Sequence, residues 1–247
     1  MAKKTNDEED TFGAHFNELR RRLLIWAIVF VIFSFLASYF KEDLLDILMR
    51  PLAVAMKQAD GTNRLIYTGL AEGFMTVFKV SLFAGFFLSI PVLAYELFAF
   101  VRPGLFPHER RALAVFILIA PFLFLIGVLF AYWFVLPMAY LFFLGFQTPE
   151  TMLPVQLEAK MSEYLSLTTS LLTAFGMAFE LPLVLMLLGK AGILTAQSLI
   201  KFRRFAIVLI FIVAAVLTPP DVISQLCLAL PLLGLYELTI LLMRKET

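Results

Sequence analysis

The sequence predicts an all-α integral membrane protein with six transmembrane helices and both termini on the same side. Three observations carry that prediction. Hydrophobic residues make up 61% of the 247 residues and charged residues 16%, against about 25% charged in a typical soluble domain. The mean hydropathy is +0.90, and the apolar residues gather in long runs rather than spreading evenly. Lysine and arginine are divided unequally between the connecting segments. About fourteen lie on the side that carries the termini and about five on the other, with Lys79 inside the second span; this bias puts both termini in the cytoplasm. The chain reads as a single transmembrane domain, 1–247. Its net charge of +1 is uninformative. A single cysteine, Cys227, excludes an intramolecular disulfide framework and a cysteine-rich metal site.

The elements are taken in chain order. Residues 1–22 form a cytoplasmic N-terminal segment. Met1 to Asp10 is polar, with Lys3, Lys4 and an acidic run, and is expected to be disordered. From Phe12 onward, Phe12, Phe16, Leu19 and Leu23 recur at helical spacing, which predicts an amphipathic helix on the membrane surface. It leads straight into the first span, 23–40, roughly 27 Å long and enough to cross a bilayer core. No small-residue cleavage site ends that run, so it reads as a retained helix. In the mixed segment Lys41 to Gly73, Leu44, Leu45, Ile47, Leu48 and Met49 predict a short helix that stops near Pro51.

The second span, 74–101, is roughly 42 Å long, more than the hydrocarbon needs. Lys79 can snorkel near its outer end, Pro91 should kink it, and its inner end, Tyr95 to Phe100, projects past the lipid. Pro103, Gly104 and Pro107 then make a tight loop. Glu109 falls in the first turn of the next helix, where the macrodipole favours an acid. The third span is 112–136. Pro137 is expected to break it, with Met138 to Phe146 turning back near the outer surface.

A polar loop leads to the fourth span, 164–188, interrupted by Glu180 and Pro182. Residues 189–204 read as a second basic loop in which Thr195 is a good N-cap for the residues after it. The fifth span, 205–217, is only about 20 Å long. Thr218-Pro219-Pro220-Asp221 is a turn, and the sixth span is 226–243. Spans five and six are short, so the bilayer thins there or neighbouring helices bury them.

The chain lacks a Walker pattern, a dinucleotide glycine fingerprint, and the His-Glu-x-x-His and Gly-x-Ser-x-Gly signatures. It reads as neither an enzyme nor a nucleic-acid binder, and no cofactor is implied. His15 and His108 are the only histidines and both fall at the cytoplasmic surface, so no metal site is expected. Glu180 lies deep in the fourth span, about 24 Å from its outer end, with no basic residue at matching depth in neighbouring spans. An acid there costs a few kcal/mol. It is either a protonated structural group bonded to a neighbour or a functional group facing a cavity or partner helix. Glu18 can pair with Arg21 or Arg22 at helical spacing, and Glu109 can cap the third span. Taken together, the two carboxylates sit on the cytoplasmic face beside aromatic residues. That patch suits a basic peptide with an apolar neighbour, and arginine more than lysine, because carboxylate and guanidinium match as planar bidentate partners.

Six segments carry a family resemblance: His15-Phe16-Asn17-Glu18-Leu19-Arg20-Arg21-Arg22; Pro91 to Tyr95 with Phe98-Ala99-Phe100; Pro103 to Arg111; Phe130-Ala131-Tyr132; Ala174 to Pro182; and Thr218 to Gln225. On these segments the chain resembles the TatC family, the receptor subunits of the twin-arginine protein translocase, over nearly its whole length. The resemblance implies a cupped six-helix bundle in the bacterial cytoplasmic (inner) membrane, working with the proton motive force. Its implied partners are twin-arginine signal peptides of folded cargo, single-span TatA- and TatB-type subunits, and further copies of the receptor.

Carried over by position, the resemblance makes Glu18, Arg20, Phe100, Leu105, Glu109, Arg110 and Arg111 the signal-peptide site. Thr218 and Gln225 become the polar positions for partner helices, and Pro51, Tyr132, Glu180 and Asp221 further functional positions. Three residues depart from the family pattern. Pro107 stands where lysine or serine is common. Glu96 adds a third carboxylate near the site, and Arg102 adds a cation that competes with guest arginines. The alternative reading is a proton-coupled secondary transporter using Glu180, although neither an inverted repeat nor paired broken helices is visible in the sequence.

Overall fold

The computed structural model describes residues 2–58, 65–102, 107–147, 159–190, 192–217 and 222–246. Within these it describes all side chains except those of 2–14, 58, 107–112, 217, 223, 224, 245 and 246. The helices are α1 (Ala2–Tyr39), α2 (Lys41–Gln58), α3 (Glu72–Val101), α4 (Pro107–Phe130), a π-helical turn (Ala131–Val135), α5 (Leu136–Leu144), α6 (Met161–Phe179), α7 (Leu181–Lys190), α8 (Ala196–Leu217) and α9 (Val222–Glu246). Among the described residues, five stretches are long and apolar enough to cross a membrane: His15–Tyr39, Glu72–Val101, Leu113–Leu144, Met161–Lys190 and Gln225–Arg244. The fifth expected span, 205–217, falls in α8, which is not among these five. The chain divides into two compact units, residues 1–41 with 81–121, and residues 42–80 with 122–247.

In the first unit α1 packs on the later part of α3. A Cβ at Gly85 would lie 2.6 Å from the Ser34 backbone, so only glycine permits that approach. Nearby, the Trp26 indole N–H donates to Ser89 Oγ at 3.1 Å, and the Ser89 hydroxyl donates to the Phe86 carbonyl at 2.8 Å. The buried hydroxyl therefore has a donor and an acceptor, as burial requires.

In the second unit the core is built from Leu136, Leu171, Leu172, Phe175 and Leu228, all nearly inaccessible. Tyr140 and Thr168 share a buried hydrogen bond of 2.6 Å. Where α4 and α6 approach, a Cβ at Gly127 would lie 2.5 Å from the Phe175 carbonyl, and one at Gly176 would lie 2.5 Å from the Phe124 ring. α8 and α9 are tied by Tyr236 Oη donating to the Leu199 carbonyl at 2.8 Å. They are tied again by a two-pronged Arg203–Glu237 pair, Nε to Oε1 at 2.7 Å and Nη2 to Oε2 at 2.8 Å.

Glu72 braces the ends of two helices. Its Oε2 accepts from the Thr68 and Gly69 amides at 2.9 and 3.2 Å, its Oε1 accepts from Ser162 Oγ at 2.6 Å, and Lys160 Nζ lies 4.0 Å away. Beside it, Ile66 and Lys160 form an isolated parallel bridge.

The structure corrects four expectations. Helix α1 extends back to Ala2 instead of beginning at Phe12 after a disordered stretch. Lys3 and Asp7, and Lys4 and Glu8, stand four apart with opposite charge, a spacing that favours helix. Helix α2 does not stop at Pro51 but runs to Gln58. Its apolar face, Leu48, Leu52, Ala55 and Met56, is buried at helical spacing and outweighs the cost of the proline. Pro137 does not turn the chain back, because α5 continues to Leu144. The proline stands in the first turn of α5, where a missing N–H costs least, and the irregularity is displaced to the π turn before it, closed by Leu136 N–H on the Ala131 carbonyl. Finally, 196–204 is helical rather than loop, because Thr195 and Ser198 form a reciprocal capping box. The Ser198 amide donates to Thr195 Oγ1 at 3.1 Å and the Thr195 amide to Ser198 Oγ at 2.9 Å.

Candidate functional site

Glu18 and Arg22 stand one turn apart on α1, and Glu96 lies on α3. The structure joins all three. Arg22 Nη2 and Nε both donate to Glu18 Oε1, at 2.8 and 3.1 Å, while Nη1 donates to Glu96 Oε2 at 3.1 Å. One guanidinium thus holds two carboxylates contributed by helices far apart in sequence. Two acids against one base leave a net negative charge on the cluster. The Glu18 side chain is 34% exposed, that of Arg22 25% and that of Glu96 12%, so Glu18 forms the open edge and Glu96 the recessed one. Arg22 and Glu96 line a shallow pocket together with Leu19, Leu23, Trp26, Leu93, Leu97 and Phe100, and Glu18 stands at its side. His15 stacks on Phe100 with ring centroids 4.3 Å apart and planes 23° from parallel, forming an aromatic shelf beside the carboxylates.

Of the residues expected in a signal-peptide site, Phe100 lines this pocket and Glu18 stands beside it, bonded to the lining residue Arg22. Arg20 lies exposed on α1 and has no described contact with it. Leu105 and the side chains of Glu109, Arg110 and Arg111 lie outside the described residues. Arg22 and His15 were not among the expected site residues, and Glu96 was expected only as a third carboxylate near the site. The four-residue spacing of Glu18 and Arg22 was visible in the sequence; their meeting with Glu96 was not.

Other expected positions fall in the second unit. Pro51 is buried within α2, and Tyr132 in the π turn donates its hydroxyl to the Ile47 carbonyl at 2.8 Å. Ile47 is the residue four before Pro51, whose ring nitrogen has no hydrogen to offer that carbonyl. The next carbonyl, of Leu48, accepts from Tyr164 Oη at 2.6 Å. Glu180 is half-buried where α6 ends and α7 begins, with Pro182 buried just beyond. Gln225 Nε2 donates to the Phe211 carbonyl at 3.2 Å, joining α9 to α8. Thr218 and Asp221 lie outside the described residues.

Comparison with known proteins gives the family. The family model for the Sec-independent protein translocase protein TatC matches residues 14–231. The chain belongs to the TatC family. A TatC protein of Rickettsia prowazekii is 42% identical over 232 residues, covering 94% of this chain and 92% of that one. Another, of Magnetococcus marinus, is 43% identical over 228 residues, covering 92% and 81%. A crystal structure of a twin-arginine translocase receptor, TatC, in DDM superposes with a TM-score of 0.80 at 39% identity, covering 93% of this chain and 99% of that one. TatC is a family of protein translocase components and not a known enzyme family. Its all-helical architecture agrees with the class expected from composition.

Proposed function

We propose that this chain is the signal-peptide receptor of a twin-arginine translocase. In this reading it lies in a bacterial cytoplasmic membrane with both termini inside. It binds twin-arginine signal peptides through Glu18 and Glu109 and assembles with single-span TatA- and TatB-type subunits to export folded cargo. The observation that carries the reading is the Glu18–Arg22–Glu96 cluster beside the His15–Phe100 shelf. It pairs carboxylates competent to hold a guanidinium with an apolar wall for the residue next to it. Charge-assisted bonds of this kind contribute about 1.5–3 kcal/mol each where shielded from water; the exposure of Glu18 puts its share at or below the lower end.

The test uses membranes containing the full chain and a twin-arginine signal peptide carrying a photo-crosslinker. The Glu18→Gln, Glu109→Gln double variant should insert normally and lose most of the crosslink. Crosslinking at the wild-type level would reject the assignment.

A further inference from the structure

The site is not empty of arginine. A guanidinium belonging to the chain itself already lies on Glu18 and Glu96. An Arg–Glu pair four residues apart on a helix is common and by itself means little. What distinguishes this one is the second carboxylate, 74 residues away on α3, bound by the same guanidinium. Three of the five N–H groups that an arginine carries are spent on this clasp, in a planar fork that uses both edges of the group.

We propose that Arg22 is an internal stand-in for the guest: it occupies the carboxylates of the resting receptor, and the need to displace it makes the site accept arginine and refuse lysine. This rests on the receptor reading above.

The physical reason is one of exchange. An incoming guanidinium reproduces the fork it displaces, so bonds broken to Arg22 are replaced in kind. An ammonium group is a compact, strongly hydrated point charge and cannot span two carboxylates in the same plane. On a bare carboxylate pair, lysine would gain much of the same charge attraction, and the site would discriminate weakly. With Arg22 in place, the lysine must also make good the fork it breaks. Specificity then comes from a built-in competitor as well as from contacts to the right guest.

The geometry allows the exchange to proceed in steps. Glu18 is the more exposed carboxylate, and among the described residues its Oε2 accepts no hydrogen bond. A guest can make its first contact on that oxygen before Arg22 leaves Oε1. The two carboxylates keep acceptor capacity to spare while Arg22 is bound, since each offers more lone-pair sites than the clasp uses. Arg102, the cation that the sequence nominated as a competitor, is exposed and makes no described contact with these carboxylates; Arg22 is the one in contact.

The experiment compares twin-arginine with twin-lysine signal peptides, each crosslinked to the full chain in membranes. For wild type the twin-arginine signal should dominate. In Arg22→Gln the twin-lysine crosslink should rise, and the arginine-to-lysine ratio should fall about tenfold. Glu96→Gln removes one charge from the hold on Arg22 and should shift the ratio part-way in the same direction; it serves as the test where Arg22→Gln does not accumulate. An unchanged ratio in the variants, or equal loss of both crosslinks, overturns the proposal and makes Arg22 a group that merely shapes the site. Either failure is separable from failure of the receptor reading, which would appear as undiminished twin-arginine crosslinking in the Glu18→Gln, Glu109→Gln variant.

Discussion

Proline 51 leaves the Ile47 carbonyl without its helical donor, and a tyrosine from the π turn supplies the missing hydrogen. That arrangement makes a sharp prediction. Tyr132→Phe should destabilise the protein by about 1 kcal/mol, the usual net value of such a bond. In a Pro51→Ala background the helix regains its own N–H, and the same substitution should cost less than half as much. Thermal unfolding of the four proteins in detergent, treated as a double-mutant cycle, measures the coupling; additive effects would show the bond to be incidental. Both residues stand out in the sequence, yet nothing there says that they meet. The same holds for Arg22 and Glu96. Residue type and helical spacing reveal which groups are chemically notable. They do not reveal which helix faces touch, because that depends on packing across long sequence separations.

Spans are more legible than contacts, because hydropathy acts on each run independently of its neighbours. The expected runs fall on helical stretches and the break at Glu180 on the junction of α6 and α7, although the third run continues to Leu144 and the helix of the fifth begins at Ala196. Helix ends were harder. Pro51 and Pro137 each look like a stop, and each is absorbed by a helix whose buried face or neighbouring turn compensates for the missing donor. In α8, Lys201, Arg203 and Arg204 look like loop. The Thr195–Ser198 cap and the buried Ala196, Leu199, Ala206 and Ile210 make them the polar side of a helix. Thr195→Ala should therefore cost about 1 kcal/mol and raise deuterium uptake at the start of α8 while sparing α9. At the α4–α6 approach, Gly127→Ala should destabilise strongly, since the obstacle is the Phe175 backbone carbonyl, which cannot swing aside. A reduced midpoint in a detergent melting series checks this; a wild-type midpoint would mean that the helices can separate at no cost.

At the scale of the whole molecule, the proposed receptor divides labour between recognition and later steps. The Glu18 cluster lies in one compact unit and Glu180 in the other. Glu180→Ala should spare capture of a signal peptide and reduce transport of folded cargo, with Glu180→Gln milder because it keeps hydrogen bonding. Both activities are measured in the same vesicles. Full transport by Glu180→Ala would reduce the acid to a tolerated structural group, and lost capture would make it a determinant of the fold. Gln225 should form disulfide crosslinks with a single-span partner helix when replaced by cysteine, at the cost of its bond to Phe211. Absence of such crosslinks, with other positions reactive, would move the partner elsewhere. The Glu72 brace has a different consequence. One carboxylate holds the segment before α3 and the first turn of α6, about ninety residues apart in sequence. Neither stretch can loosen without releasing the other, so they form one kinetic unit. In the wild type the amides of Thr68, Gly69 and Ser162 should therefore exchange in concert, as a single latch letting go at both ends, and in Glu72→Ala they should exchange faster and independently of one another.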